Sequence, residues 1–117
     1  MGTALLCIGS AATAGTPSAS EAIAVAKASV HRAEQSGAPE YAPVDLAASR
    51  DKLARADKAV ANRKIDLANQ LADEANLDAQ VAEATAVREK SRRAAADFDA
   101  SMVTLRQEST RPTQATP

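Results

Sequence analysis

The apolar residues of this chain repeat at helical spacing from about residue 19 to about residue 107, with one strong interruption. Before that interruption, apolar positions alternate in steps of three and four, the pattern of a helix that packs along one face. These positions are Ile23, Ala26, Val30 and Ala33. Ser18 stands three residues before Glu21, an arrangement that typically caps a helix start. We therefore predict a first helix over residues 19–36.

The interruption is the sequence Gly-Ala-Pro-Glu-Tyr-Ala-Pro at residues 37–43. Gly37 can adopt the left-handed conformation that ends a helix. Pro43 suits the first turn of the next helix, because the amide proton that proline lacks has no partner there. Tyr41 lies between two prolines, and we expect its ring to cover the end of a helical bundle and its hydroxyl to bond a backbone group. Recognition of a partner by Tyr41 is the alternative. Gly37, Tyr41 and Pro43 are thus the predicted structural corner.

Two further helices are predicted after the corner, over residues 43–61 and 64–107. The apolar positions of the second helix are Leu46, Ser49, Leu53, Ala56 and Val60. Near Asn62, which tolerates a left-handed conformation, the apolar pattern changes phase. The third helix then follows Ile65, Ala68, Ala72, Ala75, Ala79, Ala82 and Ala86, a stripe that Leu67, Leu71, Leu77 and Val81 widen. One continuous helix is the alternative, since no Gly or Pro interrupts the region.

The charged residues favour a turn at Asn62. The second helix is mainly basic, whereas every charged residue from Asp66 to Glu83 is acidic. Folding back at Asn62 lays the two sets of charges side by side, and such flanking charges select helix pairing and orientation. We predict an all-α fold, an antiparallel three-helix bundle or helical hairpin with a long, overhanging third helix.

The overhang is expected beyond about Glu83, because nearly equal distances on either side of Asn62 place Pro43 roughly opposite Glu83. This last part of the chain still carries an amphipathic pattern, and an exposed apolar stripe often marks a contact surface. Its predicted interaction surface consists of Val87, Phe98, Met102 and Leu105, with Arg88, Arg92 and Arg93 on other faces. We expect a protein partner, self-association or a membrane surface; a tail helix folded loosely onto the bundle and a phosphate-binding basic patch are alternatives.

Composition narrows the function classes. The apolar share is 45%, but alanine supplies most of it and there is one Phe, one Tyr and no Trp, so the core must be thin. Lys plus Arg number 14 against 15 Asp plus Glu, a balance that argues against nucleic-acid binding. The sequence contains no catalytic constellation, nucleotide loop or metal-ligand cluster, and we interpret its single histidine, His31, as a surface residue. We therefore predict a non-enzyme without cofactor, metal or small-molecule substrate.

The two ends of the chain differ from its helical part. Residues 1–14 are uncharged and combine an apolar run with the small residues Ala12-Thr13-Ala14. This signal-like segment predicts cleavage after Ala14 and export to the periplasm. Lipid attachment at Cys7 and a cytoplasmic protein are the alternatives. Residues 15–18 are interpreted as a linker and residues 109–117, rich in Thr, Pro and Gln, as a disordered tail.

A family resemblance follows from the order of these segments. An alanine-rich helix precedes the corner, Leu46 and Lys52-Leu53 follow with Ala56 and Ala59, and Leu71-Ala72-Glu74-Ala75-Asp78-Ala79 comes later. This order resembles the bacterial envelope family called domain of unknown function 4398, over about residues 19–86. Its most specific part is Tyr41-Ala42-Pro43 followed by the Lys-Leu pair.

The resemblance implies an exported, often lipid-anchored helical domain, frequently placed before an OmpA-type peptidoglycan-binding domain, with no established catalytic residues. We accordingly predict a structural or adaptor module of the cell envelope that acts through helix–helix contacts. A membrane-surface-binding amphipathic module is the alternative.

Overall fold

The computed structural model describes residues 18–112, which form helices and their connections and contain no strand. The helices are α1 (Ala19–Gln35), α2 (Ala38–Tyr41), α3 (Pro43–Ala61) and α4 (Ile65–Thr110). Helices α1, α3 and α4 pack together, and α4 is the long helix that contacts both others. This confirms the predicted all-α fold. The signal-like segment 1–14, the linker up to residue 17 and residues 113–117 lie outside the described residues.

Both ends of α1 form as their residue types predict. The Glu21 amide donates to Ser18 Oγ at 3.4 Å, and the Ser18 amide donates back to Glu21 Oε2 at 3.2 Å, which completes a capping box. At the other end, Gly37 has φ +96°, the left-handed conformation expected for it. Pro43 occupies the start of α3.

The turn between α3 and α4 lies where the phase change predicts, but a different residue carries the left-handed conformation. Asn62 has φ −88°, whereas Arg63 has φ +58°. The Lys64 amide then donates to the Ala59 carbonyl at 2.8 Å and closes the turn. Helices α3 and α4 are therefore two helices that fold back on each other, and the single continuous helix is ruled out.

The core consists mainly of alanine and forms two clusters along the bundle. The cluster near the α3–α4 turn contains Ala19, Ala22, Ile23, Ala26, Ala56, Ala59, Ala68, Leu71, Ala72 and Ala75. The cluster near the corner contains Val30, Ala33, Ala38, Ala42, Leu46, Ala79, Ala82 and Ala86. Because alanine side chains are short, the helices must approach closely to exclude water. Leu46, only 1% exposed, is the largest fully buried side chain among the described residues.

Several larger apolar residues that the pattern assigned to the packed stripes are exposed instead. In α4 these are Ile65, Leu67, Leu77 and Val81. Of the four residues predicted to widen the alanine stripe, only Leu71 is buried. Val60, near the end of α3, is also exposed. The alanine stripe of α4 covers a narrow arc of the helix, and Leu77 and Val81 lie on the opposite side from that arc.

Polar contacts hold the helices in register. The buried Ser49 hydroxyl donates to the Ala75 carbonyl at 2.6 Å and so joins α3 to α4. Lys52 Nζ lies 2.7 Å from Asp78 Oδ2 and 3.6 Å from Glu74 Oε2, which confirms the predicted pairing of basic and acidic faces. The hydrogen bond to Asp78 raises the pKa of Lys52 above its usual value of 10.5.

Between Ser18 and Pro112, no helix combines the length and the apolar character needed to cross a membrane.

Candidate functional site

The structural corner is built around one turn of helix, α2, that the sequence pattern did not predict. The Tyr41 ring is half-buried and packs against the cluster near the corner, as expected for a residue that covers the bundle end. A Cβ atom at Gly37 would lie 3.2 Å from Tyr41 Cδ2, so glycine also leaves the space that the ring occupies. The Tyr41 hydroxyl bonds no backbone group of residues 18–112, which corrects that part of the prediction.

The corner also reaches farther along α4 than predicted. The guanidinium carbon of Arg93 lies 4.8 Å from the centre of the Tyr41 ring, a cation–π contact. Arg93 Nη1 is 3.3 Å from Glu40 Oε1. The overhang therefore begins after Arg93 and not near Glu83, because α2 extends the bundle past the level of Pro43. Arg93, predicted as part of the interaction surface, belongs to the corner.

Residues 94–110 form the overhang, and each of them is exposed. At 1.5 Å per residue this helical segment extends about 25 Å beyond the corner. Phe98 is 65% exposed, Met102 37% and Leu105 58%. Spacings of four and three place these three side chains on one face of the helix. The structure therefore brings together the part of the predicted surface that lies beyond the bundle.

The remaining members of the predicted surface, Val87, Arg88 and Arg92, are exposed beside the bundle. Val87 and Arg88 border an open groove of about 580 Å³ between α4 and the end of α1. The other residues of the groove are Arg32, Gln80, Glu83 and Ala84. Arg92 Nη1 lies 3.3 Å from Glu89 Oε1, an exposed pair of the kind that contributes about 0–1 kcal/mol.

A feature that the sequence interpretation missed connects the groove to the overhang. Exposed residues of α4 repeat with alternating spacings of four and three from Leu77 to Leu105, about four heptads. We call this set the outer seam: Leu77, Val81, Ala84, Arg88, Ser91, Ala95, Phe98, Met102 and Leu105. It lies on the opposite side of α4 from the buried alanine stripe. The spacing itself is the signal that could have found it, but Leu77 and Val81 were assigned to the alanine stripe.

A comparison with protein-family models now identifies the chain. The model described as Domain of unknown function (DUF4398) matches residues 21–98, which is 78 of the 117 residues. The chain belongs to this family. The match includes α1 from Glu21 onward, α2, α3, and α4 up to Phe98, so Met102 and Leu105 lie beyond it. No curated protein and no solved structure matches the chain.

The possible metal ligands of this DUF4398 domain do not cluster among the described residues. Among residues 18–112, no group of His, Cys, Asp or Glu side chains is placed to hold a metal ion. His31 is exposed and shares a 3.0 Å hydrogen bond between its Nε2 and Gln35 Nε2. The outer seam is an extended, mainly apolar surface of the described residues, and charged side chains flank it.

Proposed function

We propose that this DUF4398 domain is a non-catalytic structural or adaptor module of the bacterial cell envelope that acts through helix–helix contacts. The observation that supports the proposal is the exposure of Phe98, Met102 and Leu105 along one face of a helix that continues about 25 Å past its bundle. Apolar surface gains roughly 25 cal/mol for each Å² removed from water, so this face favours a partner helix.

The charges of the overhang, three acidic residues (Asp97, Asp99 and Glu108) and one basic residue (Arg106), favour a protein partner over an anionic membrane surface. Asp97 and Asp99 lie about 100° to either side of Phe98 on the helix. Helices that bind anionic membranes usually place Lys and Arg beside their apolar face, because those cations contact the head groups. Arg88, Arg92 and Arg93 are the basic residues of the predicted surface that could contact head groups, and Arg93 is engaged by Tyr41 and Glu40. Membrane-surface binding therefore remains the alternative, to be separated by experiment.

The envelope location has separate support. Residues 1–14 resemble a signal peptide, and the family resemblance implies export. We expect a tagged full-length protein to appear in the periplasmic fraction with Gly15 as its first residue. Recovery of only unprocessed protein from the cytoplasm would contradict the location but not the helix contact.

The contact is tested by measuring the solution mass of the full chain and of variants. Leu105→Ser should lower the mass of the associated species, since Leu105 lies on the apolar face. Val103→Ser is the matched control, because Val103 is similarly exposed (52%) but lies on another side of the helix. Removal of residues 94–117 should give a monomer, with circular dichroism used to confirm that the bundle remains helical.

Two results would refute the proposal. In one, the full-length chain is monomeric and ignores lipid vesicles. In the other, the monomer floats with vesicles of anionic lipid and loses this property without residues 94–117, which would establish the membrane alternative.

A further inference from the structure

We propose that the partner of the overhanging helix is a second copy of this chain, and that two α4 helices pair antiparallel along their outer seams. This inference rests on the proposed function and names its partner. Helices that present apolar residues every 3.5 residues pair as coiled coils when the repeat is sustained over three or four heptads. The outer seam keeps this spacing over about four heptads, and all its members are exposed. Seven of its nine members are apolar; the other two are Arg88 and Ser91.

The shape of the molecule leaves the outer seam accessible. The buried stripe of α4, from Ala68 to Ala86, is covered by α1 and α3. The outer seam lies on the opposite side of the helix. A second helix can therefore follow α4 past Arg93 and alongside the bundle, where Ala84 and Arg88 border the groove.

Side-chain size favours one antiparallel register. In this register the two-fold axis of the pair lies between Ala96 and Asp97 of each helix. Ala95 then faces Phe98 of the second copy, and Ser91 faces its Met102. Each pairing occurs twice by symmetry. A large residue then meets a small one at every central layer, which is the arrangement that fills a helix interface without voids.

Charge complementarity favours the same register. It places Arg92 beside Asp99 of the second copy, again twice, in the flanking positions that set the orientation of coiled coils. A shift by one heptad in one direction sets Asp99 against Asp99, and a shift in the other direction sets Arg92 against Arg92. A parallel, in-register pair would bring two Arg88 side chains together within the seam. Like charges at these positions oppose association.

In the same register, the overhang of the second copy lies along the groove between α4 and the end of α1. Leu105 of the second copy lies at the level of Arg88, where Val87 and Ala84 provide apolar surface. The overlap extends over residues 83–110 of each chain, about 42 Å of helix. Each overhang thus covers part of the bundle surface of the other copy.

Disulfide trapping tests the orientation. In a Cys7→Ser background, one protein carries Arg88→Cys and another carries Leu105→Cys. We expect a mixture of the two to form a mixed disulfide under mild oxidation, because the two positions meet in the antiparallel register. Neither protein should cross-link to itself, since identical positions would be about 25 Å apart, far beyond the 3.5–4.5 Å that Cβ atoms need. Efficient self-linking of the Leu105→Cys protein would overturn the inference.

A charge exchange tests the register. Asp99→Arg should weaken self-association about tenfold, because two attractive pairs become repulsive. Adding Arg92→Asp should restore it. Asp97→Arg makes the same charge change on the side of the helix away from Asp99, where this register places no charged residue of the second copy. It should have little effect. Failure of Arg92→Asp to restore association would contradict this register.

The outcomes separate this inference from the proposed function. A full-length protein whose association depends on Leu105 but cross-links in parallel refutes only the antiparallel dimer. A full-length protein that remains monomeric and ignores lipid vesicles refutes both this inference and the proposed function.

Discussion

Leu46 provides the sharpest test of how this thin core holds together. It is the largest fully buried side chain among the described residues, 1% exposed, in a cluster made mostly of alanine. Leu46→Ala removes three carbon atoms, which costs about 2.4 kcal/mol at about 0.8 kcal/mol for each buried methylene. The cavity adds to this cost, and the short neighbouring alanine side chains have little reach with which to fill it. We expect a loss of about 3 kcal/mol in the free energy of unfolding.

That loss is large for a domain of this size. A stability of about 0.05–0.15 kcal/mol per residue corresponds to roughly 5–14 kcal/mol over the described residues. Urea unfolding followed by circular dichroism at 222 nm, at one fixed protein concentration, measures the change. Leu77→Ala is the matched control, because the substitution is identical but Leu77 is 60% exposed. It should change the free energy of unfolding by less than about 0.5 kcal/mol.

One result would refute this reasoning about the core. If Leu46→Ala and Leu77→Ala lose similar amounts, both below about 1 kcal/mol, the cluster near the corner is not closely packed. The bundle would then depend on its polar contacts and on a partner more than on buried side chains.

Two further predictions concern the corner and the α3–α4 contact. Gly37→Ala should lower the free energy of unfolding by about 1–3 kcal/mol, because φ at this residue is +96° and the Tyr41 ring lies 3.2 Å from the added Cβ. Gly37→Asn should relieve part of the backbone strain, because asparagine tolerates a positive φ better than alanine does. Equal stability of the wild type and Gly37→Ala would contradict this geometry. Because the folded-state pKa of Lys52 is raised above 10.5, its contribution to stability should be present below about pH 10.5 and be lost as the pH rises through the raised pKa. Lys52→Gln should reduce this alkaline loss in urea titrations between pH 8 and 12, whereas Lys58→Gln at an exposed position should not.

The local features of the fold could be predicted because each depends on neighbouring residues only. The capping box needs Ser18 and Glu21, and the helix end needs Gly37. The alanine stripe of α4 could also be predicted, since apolar residues that repeat about every 3.5 residues indicate which side of a helix is buried. Each alanine assigned to it, from Ala68 to Ala86, is buried.

Features that depend on three-dimensional placement could not be predicted in the same way. The left-handed residue at the α3–α4 turn is Arg63, because closing the turn with the bond from Lys64 to Ala59 fixes which residue must adopt that conformation. The start of the overhang depends on α2, a single turn whose contact with Arg93 has no periodic signal. Periodicity could have shown that Leu77 and Val81 face solvent, since at 100° per residue both lie on the opposite side of α4 from the alanine stripe.

The distribution of large apolar residues in α4 gives the reason to expect that its outer side is covered. Of ten Ile, Leu, Val, Phe and Met residues in this helix, only Leu71 is buried, while alanine fills the contact with α1 and α3. The bundle thus needs small side chains from α4, and most of the large ones contribute nothing to it. The overhang continues α4 without tertiary packing, and packing supplies most of the stability of helices in proteins. Pairing along the outer seam would bury most of the seam's large side chains and stabilise the overhang at the same time.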